Sequence, residues 1–411
     1  MNHAQPHDAA LNGVRVIDLT TVVFGPYATQ TLADYGAEVI KIETPEGDSM
    51  RHNGPAHERG MASIYLGSNR NKRSVVLDLK TAAAREALLA LCDTADVFIH
   101  NIRPQKLAKL GVSAEVLRER NPRLIFVGLV GFGEGGPYAG APAYDDIIQA
   151  LSGASDLVMR QTGAPGYFPT VAADKISALM AVQAVTAALY QRERTGRGQV
   201  IEVPMFEAMT SFLMVEHFYQ RQIQPSEGPT PADRGQLGYP RSVDSWRRPY
   251  RTANGHACIM PYTDENWRRF FAAVERPDLA ADTRFQNMAG RSQHIGALLE
   301  EMAGILEAQT TEYWIDLCTS LEIPCARLNR LEDLEADPHL QAVGFFESLP
   351  FDTGTRFRFA RAPIRMSDSY VAPTVPPRLG QHTEEVLQPL GLPDTVLQAV
   401  LARTHTPEST R

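Results

Sequence analysis

Short apolar runs alternate with helix-period patterns through the first third of the chain. Because strands separated by helices of this length join as right-handed βαβ units, the pattern predicts a mostly parallel sheet and a Rossmann-like α/β fold. The predicted strands are residues 14–19, 38–43, 74–79, 97–101 and 123–130, and the predicted helices between them include residues 27–35 and 82–93.

Residues 176–189 form a helical pattern that is apolar nearly all round. A helix with so little polar surface is expected inside a domain or an interface. Residues 192–198, R-E-R-T-G-R-G, are predicted to end it, because their two glycines favour a turn. A strand over residues 199–203 and then a helix to about residue 222 are predicted to follow.

A smaller second domain is predicted beyond a long connection. Residues 225–241 are rich in proline, glycine and charge, which is typical of a loop. Residues 250–260 predict a hairpin that turns at Asn254-Gly255. The next helical pattern places Trp267, Phe270 and Phe271 on one face.

The predicted domain boundaries follow from these patterns. Helical and irregular segments, residues 344–349 among them, are predicted to close the chain. The boundaries are residues 1–222 for the first part of a large α/β domain, 223–241 for a linker, 242–330 for a small α+β domain, and 331–411 for a second linker and the return to the large domain.

The composition is that of a soluble globular enzyme, with 44% of the 411 residues hydrophobic and 21% charged. A formal net charge of -8 argues against a nucleic acid or an anionic membrane as partner. Four cysteines without a C-x-x-C pair, together with scattered histidines, predict reduced thiols and no metal site. We find no signal-peptide pattern and no apolar run long enough to span a bilayer, so a cytoplasmic protein is expected.

Asp174 directly precedes the apolar helical pattern and has two interpretations. On residue type and position alone, an N-cap that accepts backbone N–H bonds is favoured. A carboxylate held rigidly at a helix start could also act as a nucleophile beside N–H groups that stabilise an oxyanion. The two roles are compatible.

A glycine-rich segment, residues 131–136 (G-F-G-E-G-G), follows a predicted strand. Its spacing departs from the dinucleotide-binding pattern G-x-G-x-x-G, and Pro137 stands where a helix should begin. A flexible active-site loop, or simply a turn, is therefore favoured over a dinucleotide site.

Two basic clusters allow both a structural and a binding role. Residues 69–73, N-R-N-K-R, fit a solvated turn and a phosphate site about equally well. Four arginines stand among aromatic residues and prolines further along: Arg241, Arg247, Arg248 and Arg251. A solvated linker is favoured for them, and a patch that binds the carboxylate of an acid substrate is the alternative.

Six segments follow one another in the order found in a known enzyme family. They are residues 11–43 (with L-N-G-V-R-V-I-D-L-T and G-P-Y-A-T-Q-T-L-A-D-Y-G-A-E-V-I-K-I-E), 71–80 (N-K-R-S-V-V-L-D-L-K), 95–101 (A-D-V-F-I-H-N), 194–203 (R-T-G-R-G-Q-V-I-E-V), 323–327 (I-P-C-A-R) and 379–387 (L-G-Q-H-T-E-E-V-L). Through them the chain resembles the class III (CaiB/BaiF-type) CoA-transferases, the family of formyl-CoA transferase, carnitine CoA-transferase and α-methylacyl-CoA racemase.

The resemblance implies that Asp174 is the catalytic nucleophile. It also implies an interlocked, ring-shaped homodimer, with coenzyme A as a substrate and no tightly bound cofactor. Lys109 stands where a basic residue meets the nucleotide, and Tyr144 matches a tyrosine that lines the acyl site. The positions similar to family CoA contacts are Val22, Val23, Leu77, Lys80, Asn101, Ile102, Lys109 and Tyr144.

The resemblance further implies transfer of CoA from an acyl-CoA donor to a carboxylic acid through an aspartyl anhydride and an aspartyl-CoA thioester. The arginine cluster hints at a dicarboxylic acid. The racemase branch has a histidine where this chain has Ala143-Tyr144-Asp145, and without that acid–base partner transfer is favoured over racemisation. A catalytically silent CoA-binding dimer is the third alternative. The run of glycines in the small domain of formyl-CoA transferase has no counterpart in this sequence.

Overall fold

Six short strands form one parallel sheet in the computed structural model, which describes residues 9–56, 58–223, 235–351 and 354–404. Their order across the sheet is β3-β2-β1-β4-β5-β6, as in dinucleotide-binding α/β folds. The predicted α/β fold with a parallel sheet is therefore confirmed. The strands β1 to β6 are Arg15–Leu19, Glu38–Glu43, Lys72–Val76, Val97–His100, Ile125–Val130 and Val200–Pro204.

The remaining elements are mostly helices. In chain order, α1 to α18 of the described residues are Phe24–Asp34, Ser63–Ser68, Ala82–Asp93, Pro104–Lys109, Ala114–Arg120, Asp145–Leu151, Ala154–Thr162, Ala172–Thr195, Met205–His217, Pro240–Val243, Asp264–Ala273, Pro277–Ala281, Met288–Gln293, Ile295–Leu306, Thr311–Ser320, Pro338–Ala342, Thr383–Leu387 and Asp394–Thr404. The strands β7 to β11 are Tyr250–Arg251, His256–Ile259, Cys325–Arg327, Phe346–Pro350 and Arg356–Ala360.

The chain divides into two compact units. Unit 1 comprises Met1–Ile148, Val171–Thr210 and Gly344–Arg411, and unit 2 comprises Gln149–Thr170 and Ser211–Val343. Residues 224–234 of the predicted linker lie outside the described residues, as do residues 1–8, on which the signal-peptide prediction rests.

The predicted strands and helices of unit 1 match the structure closely. Strand β2 and helix α3 have the predicted bounds, but β3 begins at Lys72, two residues before its predicted start. The reason is that the Lys72 side chain is fully buried and bonded to Asp18, so a charged residue occupies a core position that the apolar pattern does not show. Parallel strands are covered on both faces, which explains why their apolar runs are nearly continuous.

Helix α8 is longer than predicted at both ends. It begins at Ala172 and continues through the basic segment to Thr195, where Gly196 ends it in a left-handed conformation with φ 71°. Arg192 remains helical because its guanidinium is paired with Asp96 at 2.7 Å. One face of the helix, including Ala178 and Val185, is buried, and the helix packs against α1.

Helix α8 bears on the expectation that no segment could span a bilayer. Among the described residues, this helix alone is long and apolar enough by length and composition. More than half of its apolar window is buried inside the structure, and the core helix of a soluble protein has the same properties.

The last segment of the chain completes the core of unit 1. Val386, Leu387 and Val400 belong to the same buried cluster as Leu88 and Leu91 of α3. Helix α18 packs against α3, and α17 packs against β3. The core of the sheet therefore contains residues from both ends of the sequence.

Unit 2 has the predicted hairpin and amphipathic helix. Strands β7 and β8 pair antiparallel around the predicted turn, and β9 extends the sheet as the other neighbour of β8. Trp267, Phe270 and Phe271 of α11 are all buried, in one cluster with Phe285 and Trp314. The prediction of a common face for these three aromatic side chains is confirmed.

A second hairpin was not predicted. The segment with residues 344–349 was expected to be helical or irregular, but β10 pairs antiparallel with β11. Alternation explains the hairpin: Phe357 and Phe359 of β11 are buried beside Met61 and Tyr65, while the alternating residues, Arg356 among them, are exposed.

Candidate active site

The carboxyl ends of β1 and β4 meet at the point where the strand order reverses. In open parallel sheets this position forms a crevice outside the strand ends, which commonly binds ligands. The loop after β1 contains Val22 with a φ of 73°. A β-branched residue with a positive φ is an outlier, and such strain is concentrated at functional sites.

Two side chains hold this loop in place. The Asn101 side chain, which follows β4, accepts a hydrogen bond from the Thr21 amide at 3.1 Å and donates one to the Thr21 carbonyl at 2.9 Å. The Val22 amide donates to Asp48 Oδ1 at 3.3 Å. Asn101 thus joins the two strand ends across the crevice.

A buried ion pair between Lys41 and Asp48 supports the same loop. Lys41 Nζ donates to the Thr20 carbonyl at 2.7 Å and to Asp48 Oδ2 at 2.9 Å, and both side chains are fully buried. Because a buried ion must keep its partners, this arrangement fixes the Asp48 carboxylate that binds Val22.

The strain at Val22 can be measured by comparing two variants. Val22→Gly is expected to have a free energy of unfolding about 1 kcal/mol higher than Val22→Ala, because both lose the same side-chain contacts and only alanine keeps the Cβ that opposes a positive φ. Urea unfolding measures the difference. The control is Ala28→Gly inside helix α1. There the glycine variant should have a lower free energy of unfolding than wild type, because glycine is unfavourable within a helix. Greater stability of Val22→Ala would show that the loop is unstrained.

Asp174 lies in the first turn of α8, and the N-cap hypothesis is wrong. The N-cap is Val171, without a side-chain cap bond, and Asp174 is the third helical residue. Its backbone amide donates to Asp145 Oδ1 at 3.0 Å. The carboxyl group is therefore not used to cap the helix and is available for chemistry.

The Asp174 carboxyl group has an unusual electrostatic environment. The residue is only 8% exposed. Burial raises the pKa of Asp174 to about 7, the negative charge of Asp145 adds to this increase, and the neighbouring Lys175 opposes it. A carboxyl group that titrates near neutral pH inside a cleft is a candidate for acid–base or nucleophilic chemistry.

A cleft of about 300 Å³ brings several predicted residues together with Asp174. Those lining it are Val22, Asn101, Ile102 and Tyr144. Tyr144 is 71% exposed, so it lies at the surface of the cleft. Five of the nine predicted site residues, Asp174 included, thus share one cavity in unit 1.

The other four predicted site residues do not line this cleft. Leu77 follows β3 and is 1% exposed in the core of the sheet, so its side chain has no surface to offer a ligand. Lys80 is exposed a little further along, and Lys109 is exposed at the end of α4. Val23 is half-buried and precedes α1. Val23, Leu77 and Lys80 follow the carboxyl ends of β1 and β3, hence the same edge of the sheet.

The glycine-rich segment forms another wall of the cleft. Its amides are held by carboxylates: Gly133 donates to Glu207 and Glu134 donates to Glu202, each at 3.0 Å. A Cβ at Gly133 would come within 2.6 Å of Glu207 Oε1, so a larger residue there would displace the Glu207 carboxylate. The segment was predicted as an active-site loop or a turn, and its place in the cleft favours the former.

The basic residues at 69–73 have structural partners. Arg70 is paired with Asp34, and Arg73 is paired with Glu38 at 2.6 Å. With Lys72 buried against Asp18, these cations are already neutralised by carboxylates. Neither a solvated turn nor a phosphate site describes them. In the described part of the chain, no group of three or more His, Cys, Asp or Glu residues is placed to hold a metal ion.

Sequence reasoning missed Asp145 and Asp48 as parts of the site. Asp145 touches the Asp174 backbone from the start of α6, and Asp48 reaches Val22 from the segment after β2. Both contacts join residues more than twenty positions apart, which local patterns do not reveal. Asp145 was singled out only as the last residue of Ala143-Tyr144-Asp145.

Comparison with known proteins gives consistent matches over nearly the whole chain. The sequence model described as CoA-transferase family III matches residues 11–383. The succinyl-CoA:mesaconate CoA-transferase of Haloarcula hispanica is 33% identical over 395 residues, covering 93% of this chain and 97% of that protein. The succinate–glutarate CoA-transferase of Agrobacterium fabrum is 33% identical over 409 residues, covering 92% and 95%. The crystal structure of a CAIB/BAIF family protein from Brucella suis superposes with a TM-score of 0.77 at 29% identity, covering 93% and 99%.

Proposed function

Because this chain belongs to CoA-transferase family III and is thus an enzyme that transfers coenzyme A, we propose that Asp174 carries the reaction as a covalent nucleophile. The observation that carries the proposal is the carboxyl group of Asp174, which lines a cleft at the carboxyl edge of the sheet and has a pKa near neutrality. Its raised pKa reflects a poorly solvated carboxylate, which is a better nucleophile than one in water.

The proposed reaction has four steps. The Asp174 carboxylate attacks the thioester carbonyl of the donor, the C–S bond breaks, and CoA leaves as a thiolate from an acyl-aspartyl anhydride. The thiolate then attacks the aspartyl carbonyl, which releases the donor acid and leaves an aspartyl-CoA thioester. The acceptor carboxylate attacks this thioester and expels the thiolate again. Finally the thiolate attacks the acceptor carbonyl of the new anhydride and restores the Asp174 carboxylate.

The enzyme's contribution is positioning and exclusion of water, since thioester and anhydride keep the acyl group activated throughout. We assign Val22, Asn101 and Ile102 of the cleft, together with the adjacent Val23, to binding coenzyme A. Coenzyme A is a substrate in this proposal, and there is no tightly bound cofactor. We assign Tyr144 to the acyl group.

Three further positions complete the proposed CoA site. Lys109 is assigned to the nucleotide, since an exposed ammonium group suits a phosphate. Lys80 is exposed after β3 and is assigned to CoA in the same way. Leu77 contributes through its backbone, because its side chain belongs to the core.

We also propose that two chains form the interlocked, ring-shaped homodimer of the resemblance. The exposed apolar side chains Leu179 and Tyr190 on α8 support burial against a partner. Light scattering should give twice the chain mass of 45.3 kDa. A monomeric mass would contradict the dimer. A cytoplasmic location stays a prediction.

The acceptor is proposed to be a dicarboxylic acid. This rests on two relatives whose names specify succinate, mesaconate or glutarate as acid partners. Racemisation is less well supported, because no histidine is among the described residues that line the cleft.

The decisive experiment combines a substrate panel with covalent trapping. Donor acyl-CoAs are mixed with mono- and dicarboxylic acids, and the CoA products are identified by mass spectrometry. With a donor alone, a peptide containing Asp174 should carry the mass of coenzyme A, and hydroxylamine should convert it to a hydroxamate. Transfer without any adduct on that peptide would eliminate Asp174 as the covalent carrier.

The pH dependence of transfer should report the Asp174 carboxyl group. Because only the carboxylate is nucleophilic, kcat/KM for the donor is expected to fall about tenfold per pH unit below pH 7 and to level off above it. In Asp145→Asn the fall in kcat/KM should begin at a lower pH, since a negative charge that raises the pKa of Asp174 is removed. The control is Asp146→Asn, an exposed neighbour, which should leave the profile in place. A flat profile in wild type would refute the assignment.

A further inference from the structure

A second pocket lies wholly within unit 2. Its volume is about 220 Å³. Three arginines, Arg241, Arg247 and Arg248, line it together with an apolar floor that includes Trp267 and Met302. Together these five residues define the arginine pocket. The function proposed above does not use them.

The guanidinium groups of the arginine pocket have no carboxylate partner among the described residues. This is not the rule in unit 2, because Arg276, Arg284 and Arg291 are each paired with an aspartate. The nearby acid Asp244 instead accepts the backbone amide of Trp246 at 2.8 Å. Three arginines without an ion-pair partner around one cavity attract an anion.

Two of these arginines are oriented by aromatic rings. Arg241 lies 5.3 Å from the ring centre of Tyr262, and Arg248 lies 4.6 Å from that of Trp246. Stacking holds a guanidinium by its flat face and leaves its edge N–H groups free for bidentate bonds to a carboxylate. These ring contacts distinguish Arg241 and Arg248 from arginines that contact only solvent.

The floor of the pocket decides what kind of anion fits. Tyr250, Trp267 and Met302 are buried and present apolar surface beside the cations. A short methylene chain between two carboxylates matches this combination, whereas a phosphate group is charged all round and gains nothing from an apolar floor.

We propose that the arginine pocket binds a short-chain dicarboxylate, the class of acid substrate proposed above. This deepens the proposed function and rests on it for the identity of the acid as substrate. The binding event itself is independent of catalysis, so the two claims can be separated.

The test is calorimetric titration of the full-length protein with succinate, without coenzyme A. Succinate should bind wild type, and the double variant Arg247→Gln/Arg248→Gln should bind it at least about tenfold more weakly, since two charge-assisted contacts are lost. The matched control is Arg251→Gln, an exposed arginine that directly follows Tyr250 and does not line the pocket, and it should bind like wild type. Butyrate, which has one carboxylate, should bind weakly to all three proteins. Circular dichroism verifies that the variants are folded.

Stabilisation by the ligand supplies the second readout. Succinate should raise the Tm of wild type and of Arg251→Gln and leave the Tm of the double variant unchanged. Unchanged succinate binding in the double variant overturns the inference. If wild type binds ADP and the double variant does not, the pocket is a phosphate site and the inference is also overturned. If succinate binding depends on the arginines but no acid accepts CoA, the proposed function fails and the pocket stands.

Discussion

Replacing Asp174 by asparagine is expected to reduce CoA transfer by on the order of 10⁴-fold or more while leaving the protein folded. Asparagine has nearly the same shape, but its amide cannot attack a thioester carbonyl. The backbone amide of residue 174 still donates to Asp145, because that bond does not involve the side chain. The loss is measured at saturating substrate, with chromatography used to quantify the new acyl-CoA.

A stability measurement separates this loss from unfolding. The pKa of Asp174 is raised from 3.8 to about 7, so the folded protein releases this proton later than the unfolded chain does. Ionising the side chain therefore destabilises the fold increasingly between about pH 4 and pH 7, by roughly 4 kcal/mol at most. Asparagine does not ionise, so Asp174→Asn should have a higher free energy of unfolding than wild type at pH 8. The difference should be smaller at pH 5.

The control for both measurements is Asp146→Asn, which removes an exposed carboxylate from the same region. It should transfer CoA like wild type and gain no stability at pH 8. Asp174→Asn with more than a few per cent of normal turnover, in a sample free of wild type, would mean that another group carries the acyl chain.

Arg51→Met is expected to lower the free energy of unfolding by about 3–5 kcal/mol. Arg51 is 1% exposed and donates to both carboxylate oxygens of Glu43, each at 2.7 Å. It also donates to the Tyr65 hydroxyl at 2.6 Å and to the Pro377 carbonyl at 3.2 Å. Methionine fills similar space but leaves the Glu43 carboxylate buried without its cation. Urea unfolding at a fixed protein concentration gives the difference.

Two comparisons make the Arg51 result specific. Arg15→Met breaks a half-exposed pair with Glu38 and should cost less than about 1 kcal/mol. Adding Glu43→Gln to Arg51→Met should restore part of the lost stability, because the uncompensated charge is removed. If Arg51→Met lowers the free energy of unfolding no more than Arg15→Met does, the buried pair of Arg51 and Glu43 is dispensable for stability.

The sequence was sufficient for the parallel sheet because its strands are buried on both faces and their apolar runs are short and separated by helices. Glu38–Glu43 and Ala82–Asp93 were predicted with their observed bounds. The prediction failed where tertiary contacts override the local pattern. Lys72 is buried in a strand with Asp18 and Asn69 as partners, and Arg192 near the end of α8 is paired with Asp96.

The candidate site was less accessible to sequence reasoning. Residue type and position favoured a cap for Asp174, and only the family resemblance made it a nucleophile. The properties that suit it to chemistry come from burial and from Asp145, which lies 29 positions away. The strain at Val22 likewise depends on bonds from Asp48 and Asn101 and leaves no trace in the local sequence.

The participation of both chain ends in one core has a consequence for biosynthesis. The core around α3 needs Val386, Leu387 and Val400, and the Arg51 guanidinium needs the carbonyl of Pro377. Unit 1 therefore cannot fold completely on the ribosome until residues up to Val400 have been synthesised. Until then the nascent sheet has an uncovered apolar face and buried charges without all of their partners. Such an intermediate exposes aggregation-prone surface, so expression with ample chaperone capacity should raise the soluble yield.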